Sequence, residues 1–192
     1  MDPVLGVALL GAVGASIVAA FFRTDARRRR RRDRAWDIAA TKLGITRGQS
    51  VPGNPKLSGS IDGFATDVWL HTTPASSRQD WVTTYEIAMP PGLPPFRVVA
   101  RRAFISTDVL DQTTGDPGFD SRLVVDSEFD WASRLRESLR REIVELFETH
   151  FDVVMTGETL RATRAGYETD AATLIETTRR LVRIAKSLVA AL

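Results

Sequence analysis

The chain has 192 residues and a net charge of +2, from 26 basic and 24 acidic residues. It holds no cysteine, which excludes disulfides, thiolate metal sites and cysteine nucleophiles. The basic excess sits in residues 23–34, where eight arginines face two aspartates; residues 35–192 hold 18 basic and 21 acidic side chains, without the basic stripe that nucleic-acid binding needs, so no nucleic-acid partner is expected.

Val4 to Phe22 is an uncharged apolar run of nineteen residues. A helix rising about 1.5 Å per residue needs about 20 apolar residues to cross a hydrocarbon core of about 30 Å. Residues 1–22 therefore read as an N-terminal single-pass transmembrane anchor. A cleaved signal peptide would carry its charges before a core of about 7–15 residues, whereas here they follow a longer one. Gly11, Ala15 and Ala19 are spaced four apart, as are Ala8, Ala12, Ser16 and Ala20. Such small-residue rows let two spans approach closely, so a homo-oligomer through the transmembrane helix is one expectation.

Arg23, Arg27, Arg28, Arg29, Arg30, Arg31, Arg32 and Arg34 follow at once, and residues 23–34 read as an Arg-rich juxtamembrane linker. Arginines flanking a span resist translocation. The N-terminus is therefore expected outside and residues 35–192 in the cytoplasm, at the cell inner membrane. The same arginines would attract anionic lipids, each contributing about 1 kcal/mol near the surface.

After the linker, AWDIAATKLGI places Trp36, Ala40 and Leu43 near one face of a short helix that Gly44 ends. RGQSVPGNPK reads as loop from its Gly, Pro and Asn content. LSGSIDGFATDVWLH reads as a hairpin about Asp62-Gly63, with Phe64, Thr66, Val68 and Leu70 alternating against Ala65, Asp67, Trp69 and His71. A polar loop leads to WVTTYEIAM, a strand placing Trp81, Thr83, Tyr85, Ile87 and Met89 on one face. PPGLPP blocks its continuation, and Phe96 to Phe104 forms a further strand. A loop-rich stretch runs to Phe119, and RLVV at 122–125 is a short strand.

From Asp130, expected as an N-cap, a helix carries Trp131, Leu135, Leu139, Ile143 and Leu146 on one face and a Glu137–Arg141 pair on the other. FDVVMTGETLRATRAGY gives a hairpin turning at Gly157-Glu158. A long C-terminal helix from about Asp170 carries Leu174, Leu181, Val182, Ala185, Leu188, Val189 and Leu192 as its apolar stripe. Hairpins between helices, without βαβ alternation, give an α+β domain: a largely antiparallel sheet of about six strands with packed helices.

From Gly115 the chain reads GDPGFDSRLVVDS, then the amphipathic WASRLRESLRREI and a hairpin. This order, GD-x-x-FD before a short apolar strand and a leucine-spaced helix, resembles uncharacterised bacterial membrane-anchored domains of unknown function over about residues 107–157. Leu123 stands where that pattern carries a second phenylalanine. The resemblance implies a bacterial membrane protein of this layout and brings no activity with it.

Neither GxxxxGK[ST] nor G-x-S-x-G occurs. A Ser/His/Asp triad would have to use His71, at a strand end, or His150, at a helix end where a histidine is favoured by the dipole. Asp108, Asp111, Asp116, Asp120, Asp126, Glu128 and Asp130 match no calcium-loop spacing and suit turns and caps, so neither metal nor cofactor is expected. Gly115, Asp116, Phe119 and Asp120 are expected to build the fold, with Phe119 in the core. Trp69, Trp81, Tyr85, Phe96 and Phe104 are read as strand aromatics of the core, with a lined pocket as their other use. The expected function is a non-enzymatic interaction or scaffold module held at the membrane. The alternatives are a small-ligand or lipid-headgroup sensor and a hydrolase with an unrecognised site.

Overall fold

The computed structural model describes residues 27, 29–73, 80–101 and 111–192. The apolar run with Gly11, Ala15 and Ala19, the residues Arg23 and Arg28, and also Phe104 and Asp108 lie outside them. Among the described residues, no helix is long and apolar enough to cross a membrane.

The chain enters through helix α1 (29–43), then forms β1 (Thr46–Val51), β2 (Asn54–Ile61), β3 (Phe64–Thr73), β4 (Asp80–Ala88), β5 (Arg97–Ala100) and β6 (Asp111–Gln112). After these come α2 (Pro117–Asp120), β7 (Leu123–Asp126), α3 (Glu137–Thr149), β8 (Asp152–Thr156), β9 (Thr159–Ala165) and α4 (Ala171–Val189). The class is α+β, as the hairpin pattern predicts. Among the described residues the sheet has nine strands, more than the six expected, in the order β1-β2-β3-β4-β9-β8-β5-β7-β6. All its neighbours pair antiparallel.

The surplus strands are those that bury little. Thr46–Val51, read as loop, pairs with β2 as an edge strand through a register shift between Gln49 and Val51, and nearly all its side chains are exposed. Backbone pairing makes it a strand, so no apolar alternation announces it. The strand from Phe96 stops at Ala100. Residues 29–34, read as linker, are helical. The helix expected from Asp130 begins at Glu137: Asp130 instead closes a separate turn through the Ser133 backbone and hydroxyl at 3.2 and 2.6 Å. Leu192 lies beyond α4 and is exposed.

One face of the sheet carries the core. Leu57, Val68, Tyr85, Ala162 and Ile87 are fully buried, and neighbouring strands bring them into register as Leu57↔Val68, Val68↔Tyr85 and Tyr85↔Ala162. Against them pack Trp36 and Ala39 of α1, Ile143 and Leu146 of α3, and Leu174, Leu181 and Ile184 of α4. Each large aliphatic side chain taken from water here contributes about 1.5–3 kcal/mol. The opposite face shows Lys56, Asp67, Trp69 and His71, as the β3 alternation predicts. Asp170 caps α4 by accepting from Ala172 and Thr173, as the sequence suggests.

The registers also sort the connections into two ends. At one end lie the β1–β2 turn, the start of β4, the α3–β8 junction at His150-Phe151 and the β9–α4 connection over 166–170. The arginine-bearing start of α1 is fixed there too, since Arg32 donates to the Gly53 carbonyl at 3.2 Å. The β2–β3 and β8–β9 turns lie at the other end.

Candidate functional site

The GDPGFD segment is occupied with holding itself. Asp116 Oδ1 accepts from the Gly118 and Phe119 amides at 2.9 and 3.3 Å, and Arg140 Nε donates to its other oxygen at 3.2 Å. The Phe119 amide first, then Arg140, keeps this carboxyl below its ordinary range. Asp120 accepts from the Thr114 amide and hydroxyl at 3.0 and 2.9 Å and from the Gly115 amide at 3.0 Å. It therefore closes the loop behind it, where a cap on the turn ahead was expected. Phe119, 1% exposed, is seated in the core by this double clamp.

The remaining acids do not converge. Asp111 pairs with Arg101 at 3.1 Å, Asp126 ends β7 and Glu128 follows it, and Asp130 serves the Ser133 turn. Among the described residues no group of three or more His, Asp or Glu is placed to hold a metal ion.

His71 lies in a polar row across three strands: its Nε2 is 2.9 Å from Thr84 Oγ1, which is 3.2 Å from Thr163 Oγ1. Its ring stacks on Trp69 at 6.0 Å. Such cross-strand pairing stabilises a sheet and leaves the imidazole committed. Trp69 and Trp81 are only half-buried, whereas Tyr85 and Phe96 are in the core as expected.

His150 stands differently. It closes α3 and lines a cleft of about 490 Å³ with Glu145, Arg164, Asp170, Thr177 and Arg180. Its Nδ1 lies 3.1 Å from the Leu146 carbonyl, which can only accept, so the tautomer assigned by this bond puts the proton on Nδ1 and a lone pair on Nε2. That Nε2 is buried without a protein partner, as is Arg180 Nε. Tyr85 meets the imidazole edge-on at 6.1 Å. Burial first, then Arg164 and Arg180, pushes the His150 pKa down against the Leu146 bond. The imidazole is thus neutral, and the dipole-favoured cation expected at this helix end is replaced by a buried base. Burial and then Glu168 push the Tyr85 phenol well above its usual range, so it stays protonated.

The charges around this cleft largely cancel, since Arg164 pairs with Glu168 at 3.1 Å and Arg180 with Glu145 at 2.8 Å. The cleft offers a neutral acceptor in His150, the buried Arg180 N–H and the Thr177 hydroxyl, suited to hydrogen bonding with a small uncharged molecule. It is poorly arranged for hydrolysis. A triad histidine presents Nε2 to a nucleophile and gives its Nδ1 proton to a carboxylate, but here that proton goes to a backbone carbonyl. Thr149, the nearest hydroxyl on Nδ1 at 3.0 Å, already donates to the Glu145 carbonyl at 2.7 Å. The sequence named His150, but nothing local linked it to Tyr85, Arg164 and Arg180, which arrive from other elements.

The arginines of residues 27–34 divide into two groups. Arg27, Arg29, Arg30, Arg31 and Arg34 are exposed, while Arg32 is drawn inward against Asp33 and the Gly53 carbonyl. Comparisons with protein-family models, with curated proteins and with solved structures return no match for this chain.

Proposed function

We propose that this protein is a single-pass membrane protein, anchored through residues 4–22, whose α+β domain is a non-enzymatic interaction module on the cytoplasmic side. The observation that supports this reading most is how α1 is attached. The helix that carries the arginines buries Trp36 and Ala39 in the core of the domain. By sequence only residues 23–28 separate an apolar run of spanning length from this packed helix. A domain joined by so short a stretch is kept close to the bilayer, which suits a scaffold meeting a partner there. The saturated carboxylates of GDPGFD and the committed His71 favour binding over catalysis.

The test is topological. A cytoplasm-active fluorescent fusion at the C-terminus should be bright and a periplasm-active phosphatase fusion silent; the reverse pattern sinks the assignment. Neutral residues in place of Arg27 to Arg32 should give mixed orientations.

A second reading has its own support: the buried, unbonded Nε2 of His150 favours a small-ligand sensor in the cleft between α3 and α4. A small polyol or amide that shifts the His150 ring resonances in wild type, and whose calorimetric binding is lost in His150→Gln, would favour it over a pure scaffold.

A further inference from the structure

We infer that the arginine-bearing end of the domain docks directly onto the surface of an anionic bilayer. The inference rests on the reading of residues 4–22 as a span and adds a second contact between domain and membrane.

Five large apolar side chains are exposed among the described residues, and three of them, Val51 (54%), Phe151 (60%) and Tyr167 (46%), belong to this one end. They come from three separate places: the last residue of β1, the α3–β8 junction and the β9–α4 connection. The Tyr167 ring stacks on Trp81 at 4.8 Å, which sets two amphipathic aromatics at the same rim. Tyr and Trp favour the headgroup level of a bilayer, where one part of the ring is apolar and the other wet.

Spacing decides the kind of partner. β1 and β8 are separated by four strands in the sheet, so at about 4.8 Å per strand Val51 and Phe151 stand roughly 24 Å apart. A protein groove would need a contiguous apolar patch. A flat, deformable surface needs only separate apolar tips at one end of the domain, which these three supply.

Charge points the same way. Arg27, Arg29, Arg30 and Arg31 are exposed at this end. Of its acids, Asp33 pairs with Arg32 and Arg47, Asp152 with Arg161 at 3.9 Å and Glu168 with Arg164, Asp170 caps α4, and Asp80 opens β4. Arginines thus outnumber acids at this end, which complements anionic headgroups. Each arginine near such a surface strengthens attachment about five-fold.

The chain lacks cysteine, so single positions can be labelled cleanly. Phe151→Cys, Tyr167→Cys and, at the opposite end, Glu158→Cys would each carry an environment-sensitive fluorophore in the full chain, reconstituted into nanodiscs. Discs of phosphatidylglycerol with phosphatidylcholine should blue-shift the labels at 151 and 167. They should also shield both from an aqueous quencher about five-fold better than discs of phosphatidylcholine alone. The label at 158 should not respond, and high salt should reverse the difference at the other two. Equal quenching at 151 and 167 in both compositions, or shielding of 158 to the same degree, overturns the docking. The span is checked separately on wild type: release of the chain from membranes by alkaline carbonate fails the anchor itself, whereas a retained chain with exposed labels fails only the docking.

Discussion

Trp36 Nε1 donates a 3.0 Å hydrogen bond to the backbone carbonyl of Glu168, 132 residues further along the chain. The indole is fully buried, so this bond and its packing fasten the arginine helix to the β9–α4 connection. Trp36→Phe should keep most of the packing but strand the carbonyl, costing about 1–3 kcal/mol. Trp36→Ala should cost about 3–5 kcal/mol and free α1 from the domain. Urea unfolding of the full chain in detergent, with hydrogen exchange along α1, measures both. An Ala variant as stable as wild type, with α1 still protected, contradicts the rigid coupling.

The parts of the fold that follow from local chemistry are legible in the sequence. Asp62-Gly63 adopts φ of 52° and 88°, the paired positive angles that an Asp-Gly hairpin turn requires. The α4 stripe follows the same way from helical spacing of Leu174, Leu181, Val182, Ala185 and Leu188. What stays hidden is set by distant partners. β1 has no apolar face to advertise it, and α3 starts late because the residues after Trp131 turn separately to seat its ring against Phe96 at 4.9 Å. A helical period cannot distinguish one turn, a break and a helix from a longer helix. The His150 cleft is hidden for the same reason: its components lie on α3, β9 and α4, and only the fold brings them together.

Phe119 should be the most sensitive position of the GDPGFD segment. Phe119→Ala removes a fully buried ring and should cost about 3–5 kcal/mol. Asp120 receives three donors from Thr114 and Gly115, so Asp120→Ala should cost about 2 kcal/mol. Asp116→Ala should lose a similar amount, since it gives up two amide bonds and the Arg140 pair. Thermal melts of the three variants give the ranking. Aspartate variants that melt like wild type but abolish a cellular phenotype would assign these carboxylates to a site after all.

Gly59 is required for close approach. A Cβ there would lie 2.6 Å from Ile45 Cγ2, 2.8 Å from its Cβ and 3.3 Å from its Cα. The backbone at the α1–β1 junction would have to move, so Gly59→Ala should destabilise by about 1–3 kcal/mol. Ile45→Ala removes only the nearest of these atoms. The double variant should therefore show partial relief, visible as coupling in a double-mutant cycle. Strict additivity would mean that the junction yields without strain.

His150 should make stability depend on pH in a defined window. Its folded pKa lies below the ordinary 6.5, with burial the main cause. Between those two values the unfolded chain binds more protons than the folded one, so stability must rise with pH. The contribution is therefore complete above pH 6.5, declines as pH falls below it, and levels off beneath the folded pKa. His150→Gln should flatten this part of the curve. Glu145, Glu176, Arg164, Arg180 and Tyr85 face the cleft in both proteins, so the difference between wild type and variant isolates the imidazole. Asp170, whose carboxyl is held below 3.8 mainly by Thr173, titrates outside the window. Urea unfolding at a series of pH values between about 8 and 5 supplies the two curves. A constant difference across that range would show that His150 takes up its proton equally in both states, and the cleft would then be wetter than its buried, unbonded Nε2 implies.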